Sequence, residues 1–310
     1  MSTVHKPRRV LIARILGNDV PGLHGDTQTI DNLKFTIENE KKYATFEYVY
    51  FLNRIYNKTK KKQIIHLLSH HNIRFIDIPF PIKPYINLLK HCPTLISPRL
   101  PPSVLFSFRN QLTQFNHLIA NNNGARNTVL EYGRKLGYEW TFVLDSNSFI
   151  DDTLYESLSN IFRDSGSSPR FIILPQVRLQ DKKLYNHAVL QKDPRIHTLP
   201  KREPQLAFHI STRETFEEKL PYGSAPKAEF LARLGVPGPW HAWAHGACRR
   251  HRINRKPNIH KKWAQSKRII RLSPFEVKNC ISRNAHLRAV GIVLHVNKIY
   301  KLYRSKIESL

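Results

Sequence analysis

Over residues 10–174 the chain alternates short, densely apolar runs with longer stretches whose apolar residues recur every three or four positions, and few architectures accommodate that alternation. The run Val10–Leu16 is broken only by Arg14 and ends in Gly17-Asn18-Asp19 and Pro21-Gly22, so it reads as a buried strand entering a turn. Over residues 27–42, Ile30, Leu33 and Ile37 recur at helical spacing, with Asp26 in position to cap. Residues 47–52 form a second strand, Ile64, Leu67 and Leu68 mark a second helix, and residues 73–78 form a third strand. Residues 126–136 read as a further helix, with buried strands at 140–144 and 171–174. Strands apolar on both faces and separated by helices pair in parallel under helical layers. The expected class is α/β, a mostly parallel sheet flanked by helices. The proline-punctuated stretch 79–102 is expected to be a loop that no regular element crosses.

The 310 residues are 41% hydrophobic and 24% charged, enough for a sizeable core, but the formal charge of +27 calls for an acidic partner. Nucleic acid, an anionic membrane leaflet and phosphate-bearing substrates all qualify. Cys92, Cys248 and Cys280 are odd in number and widely spaced, which disfavours a disulfide framework and points to a reducing, cytoplasmic setting. The run at 10–16 is too short for a signal sequence, and no stretch has the length of a membrane span. The expectation is a soluble protein, resting peripherally on the inner face of the membrane.

Charge divides the chain. From 240 to 307 the only acid is Glu276, so the expected organisation is a catalytic domain at 1–238 and a basic, partly helical extension at 239–310. Leu287, Val290, Leu294 and Ile299 suggest a final amphipathic helix whose apolar stripe either meets a membrane or packs on the rest of the protein.

Asp145-Ser146-Asn147 falls where the strand at 140–144 ends, and in open α/β sheets ligands gather at the carboxyl ends of strands. Upstream, Asn121-Asn122-Asn123-Gly124-Ala125-Arg126-Asn127 opens a helix that ends near Leu136-Gly137-Tyr138. This order, a Gly-Ala-Arg-Asn turn and then one helix later an apolar strand delivering an acid, resembles family 2 glycosyltransferases. The resemblance implies a GT-A fold (nucleotide-diphospho-sugar transferase-like) and transfer of a sugar from a nucleotide-sugar donor to a glycan or lipid-linked saccharide. Gly124 and Ala125 would let backbone approach the donor, Arg126 would offer a charge-assisted fork to phosphate, and Asn127 would hydrogen-bond in both directions.

Asp145 matches the first acid of that family's DxD-type motif, and Asn147 stands where a second is expected. Together they would hold Mg²⁺ or Mn²⁺ on the diphosphate, although Asp145 also suits a metal-free strand-end cap. Asn53 and Arg54 follow the second strand, where the resemblance implies nucleoside and phosphate contacts; either also fits a surface turn. In the stretch 222–235, Lys227 occupies the place of the expected general base. Glu229 is therefore the candidate, with Glu217 and Glu218 as alternatives.

Two further patterns stand outside the resemblance. His241, His245, Cys248 and His251 are spaced as zinc ligands would be on a helix, in competition with ordinary packing. The basic runs 248–256 and 260–263, with tryptophan interleaved, motivate the alternative function of a non-enzymatic nucleic-acid-binding protein.

Overall fold

The computed structural model describes residues 9–21, 24–91, 109–163, 169–179, 203–259, 262–272 and 281–308. In chain order its strands are β1 (Val10–Leu16), β2 (Phe46–Asn53), β3 (Arg74–Ile78), β4 (Trp140–Asp145), β5 (Ser148–Phe149), β6 (Phe171–Leu174), β7 (Gln176–Leu179), β8 (Gln205–His209), β9 (Trp263–Gln265) and β10 (Ile269–Leu272). The helices are α1 (Gln28–Asn39), α2 (Lys58–His70), α3 (Ile82–Lys90), α4 (Arg109–Ile119), α5 (Asn122–Lys135), α6 (Asp152–Arg163), α7 (Ala228–Arg233), α8 (Trp240–Arg250) and α9 (Ile281–Glu308).

The protein is mixed α/β around a central sheet in the order β3-β2-β1-β4-β8-β6-β9. β3, β2, β1 and β4 run parallel, β8 is antiparallel to both of its neighbours, and β9 pairs in parallel with β6. Successive residues of β1 face opposite sides, as the pleat requires. Leu11 and Ala13 join Val129 and Leu130 of α5 and Phe230 of α7 on one side, while Val10 and Ile12 join Leu154 and Leu158 of α6 on the other. The register pairs Ile15 with both Phe51 and Asp145, so β1, β2 and β4 end nearly flush. A second sheet, β5-β10-β7, joins the segment just after β4 to strands from much later in the chain.

Arg14, the one charge in β1, is buried. Its Nη2 donates to Glu40 at 2.7 Å and its Nε to the Ser148 carbonyl at 3.0 Å. Glu40 also accepts from Ile150 N at 2.7 Å, so this ion pair ties the end of α1 to the segment after β5.

Local structure departs from expectation at three helices. α1 is shorter than 27–42 and begins after Thr27, because Asp19 Oδ1 accepts from Thr29 N at 3.1 Å and supplies the partner that Asp26 was expected to give. α3 crosses the proline-rich stretch: Pro81 and Pro84 fall at the cap and in the first turn, where a missing N–H breaks no helical hydrogen bond. Residues 92–102 of that stretch lie outside the described residues. α5 starts at Asn122, four residues early.

Beyond residue 238, α8 places Trp240 and Ala244 in the main core, β9 forms an edge of the central sheet, and β10 is the middle strand of the second sheet. α9 buries Ile292, Val293, Val296 and Ile299 against Tyr85 and Leu89 of α3 and Phe115 of α4. The packed face is not the stripe expected from sequence: of Leu287, Val290, Leu294 and Ile299, only Val290 and Ile299 belong to this cluster, and the side chain of Leu287 lies outside the described residues. No helix among the described residues is long and apolar enough to cross a membrane.

Candidate functional site

Asp145 closes β4 and is surrounded by donors. Arg126 Nη2 lies 3.3 Å from Oδ1, and Lys227 Nζ and Gln205 Nε2 lie 3.1 and 2.8 Å from Oδ2. Arg126 is oriented in turn by Asn123 Oδ1 at 2.7 Å and lies over the Phe216 ring; Lys227 also donates to Gln205 Oε1 at 3.0 Å. Burial alone would raise the Asp145 carboxyl, but Lys227, Arg126 and Arg271 outweigh it and hold the group far below the usual carboxylate range. Asp145 is therefore a permanent anion held by side chains. The strand-end cap considered above would require backbone donors, and none contacts it among the described residues.

Asp145, Arg126, Lys227 and Arg271 form part of the wall of a cavity of about 620 Å³ at the carboxyl ends of β1, β2 and β4, a size suited to a small-molecule ligand. The β1–α1 loop contributes Asn18 and Asp19, the turn after β4 contributes Ser146 and Asn147, and α9 contributes Arg288 and His295. Gly223 has φ +93°, and any side chain there would press on the Arg288 stem, so this glycine seats Arg288 across the rim. Arg288 also lies over the Tyr222 ring, 5.5 Å from its centroid.

Four of the expected site residues, Asn53, Arg126, Asp145 and Asn147, share this cavity. Asn53 spends its amide internally, donating to the Ala120 carbonyl at 2.6 Å and accepting from Asn121 at 3.1 Å. Arg54, Gly124, Asn127 and Glu229 are not on the cavity wall. Arg54 has φ +52° and donates to the carbonyls of His117 and Leu118. A side chain at Gly124 would collide with that of Asn121, so this glycine serves helix packing. Asn127 exchanges hydrogen bonds with the Phe216 backbone and donates to Glu218 at 2.7 Å. Glu229 is buried in α7 and paired with Arg233 at 2.6 Å, while Glu217 pairs with Lys256 at 3.2 Å.

Sequence reasoning missed Glu203, Arg271 and Arg288. Glu203 lines the cavity, and its Oε1 is buried with no hydrogen-bond partner. Arg271 donates to Gln176 at 3.3 Å while its Nε is buried and unpartnered. No local pattern marks these residues; the pairing of β8 and β10 and the packing of α9 on α3 and α4 bring them together from distant parts of the chain.

The donor set does not suit a divalent cation. Asp145 is already neutralised by two buried cations, Asn147 adds at most an amide oxygen, and no cluster of three or more metal-binding side chains occurs among the described residues. At a spacing of about 4 Å a dication and one such cation repel by about 8 kcal/mol at the effective dielectric of a protein surface. The four residues weighed as zinc ligands are not assembled either. Cys248 is buried, His241 and His245 are exposed, and His251 Nε2 is 2.9 Å from Ser224 Oγ.

Comparison with protein-family models finds no match, and no curated protein matches. Among solved structures the chain is similar to residues 1–349 of TarS from S. aureus, with a TM-score of 0.39 and 11% identity, over 83% of this chain and 60% of that one. The chain thus spans less than two thirds of that structure.

Proposed function

We propose that the protein is a nucleotide-sugar-dependent glycosyltransferase of the GT-A type, moving a sugar to a glycan or a lipid-linked saccharide. The observation that carries this reading is the convergence of Arg126, Asp145 and Asn147, from the segments that resemble the family, on one cavity at the carboxyl ends of parallel strands. Glu203 is the general base in this reading, because it is a carboxylate on the cavity wall with an oxygen free to accept a proton. The acceptor oxygen bonds to the anomeric carbon as the bond from that carbon to the β-phosphate oxygen breaks. The hydroxyl proton passes to Glu203, and the nucleoside diphosphate leaves with the electron pair.

A panel of UDP- and GDP-sugars tests the proposal. At least one should raise the melting temperature and be slowly hydrolysed; a panel that does neither overturns it. A second reading, nucleic-acid binding, is motivated by the exposed Arg249, Arg252 and Arg255 beyond the cavity wall. Tight RNA binding that falls steeply with salt, with no response to any donor, would favour it. Peripheral attachment to an anionic membrane through exposed lysines such as Lys298 and Lys301 of α9 remains part of the proposal, and co-sedimentation with anionic but not neutral vesicles tests it.

A further inference from the structure

We propose that this chain neutralises a departing nucleoside diphosphate with its own fixed cations, Lys227, Arg271 and Arg288, and without a divalent metal. The inference rests on the donor reading above and deepens it. In that reading the leaving group gains negative charge as the glycosidic bond breaks, and the site must supply positive charge already in place.

Three observations carry it. The acid at the end of β4 is bonded by Arg126, Lys227 and Gln205, so a metal bound there would lie against two buried cations. Lys227 stands where the family resemblance places an acid; its side chain is 4% exposed, on the cavity wall, and Asp145 holds it in place. Arg271 and Arg288 reach the same cavity from β10 and α9 with donors to spare. Arg271 Nε is buried without a partner, and among the described residues Arg288 has a long 3.4 Å bond to the Gly223 carbonyl and its stacking on Tyr222. Guanidinium forks match phosphate oxygens in pairs, which suits two arginines to a diphosphate. Part of the basic C-terminal charge thereby acquires a ligand.

The test is calorimetric titration of the full chain with UDP and with GDP, first in EDTA and then with Mg²⁺ or Mn²⁺. The expected result is binding in EDTA whose Kd changes by less than about fivefold when metal is added. Tightening beyond about fivefold overturns the inference and leaves the glycosyltransferase reading standing. Failure of both nucleotides to bind in every buffer overturns the inference together with the donor reading. Arg271→Ala and Arg288→Ala should each weaken binding in EDTA by about tenfold or more with little change in melting temperature. A variant that binds within about fivefold of the unaltered protein overturns the assignment of that arginine. Lys227→Met, which also strips Asp145 of a partner, is read only beside these two.

Discussion

Lys227 Nζ lies 3.1 Å from Asp145 Oδ2, and this ion pair makes the acid at the end of β4 a counter-ion for buried cations. Arg126 completes the arrangement at 3.3 Å from the other oxygen. Asp145→Ala should therefore damage folding as well as turnover, since it strands two buried charges. The expected loss is about 3 kcal/mol, the lower end for a broken buried pair, because solvent screens a side chain that is 27% exposed. Urea denaturation measures it. The double variant Asp145→Ala with Lys227→Met should recover about 1 kcal/mol or more of that loss, and strict additivity would contradict the pairing.

Glu203 Oε1, by contrast, makes no hydrogen bond among the described residues. Glu203→Gln should keep donor affinity and melting temperature while lowering the rate of transfer by a factor of about 10² to 10⁴, the usual contribution of a general base. Steady-state rates beside donor titration separate the two effects. A variant that transfers at the unaltered rate removes Glu203 from the mechanism.

How far the fold could be read from sequence follows from where its information is local. The apolar runs that became β1, β2, β3 and β4 announce themselves, and with them come the strand ends that hold Asn53 and Asp145. The reversal at β8 does not, because a short apolar run carries no mark of its partner or direction. Glu203 and Lys227 flank that reversal and reach the site only through it. Glu229 carried a warning in its own helix: Arg233 four residues on is spaced to take its charge, and does. The basic composition after 238 concealed ordinary core residues such as Trp240 and Val296, because charge on one face says nothing of the other.

Removal of residues 239–310 should accordingly abolish cooperative unfolding. It takes away Trp240 and Ala244 from the main core and Ile292, Val293, Val296 and Ile299 from the α3–α4 face. At about 1.5–3 kcal/mol for each large side chain, the loss is comparable to the roughly 5–15 kcal/mol that ordinarily stabilises a domain. Near-ultraviolet circular dichroism and a urea titration provide the readout, and a cooperative transition in the truncated chain would overturn the expectation.

His295 makes stability depend on pH. Its Nδ1 lies 2.7 Å from Tyr56 Oη, and burial, then Lys298, His24 and Lys60, pull its pKa down to about 3. The unfolded chain titrates near 6.5, so between these values the unfolded state binds a proton that the native state refuses. The stabilisation is complete above about pH 6.5 and is lost as pH falls, at up to about 1.4 kcal/mol per pH unit. His24 and His117 are lowered by burial too and act in the same direction. Urea midpoints at about pH 7.5 and about pH 5 should show the fall, and His295→Gln should flatten it; an unchanged slope assigns the dependence to other groups.

Two helical glycines should respond to alanine with opposite signs. Gly246 in α8 has nothing within 4 Å of an added Cβ, so Gly246→Ala should stabilise the protein by about 0.5–1 kcal/mol through backbone entropy. Gly291 in α9 gains the same helical preference, but its Cβ would collide with Val20 Cγ1 and lie 3.1 Å from the Pro21 carbonyl oxygen. Val20 is branched and buried, and overpacking of this kind costs about 1–3 kcal/mol, so the net effect should be destabilising. The displaced loop also carries Asn18 and Asp19 to the cavity wall, so Gly291→Ala should weaken nucleotide binding. Urea denaturation and titration with UDP measure both effects. Stabilisation by Gly291→Ala equal to that at Gly246 would mean that α9 does not seat tightly on the β1–α1 loop.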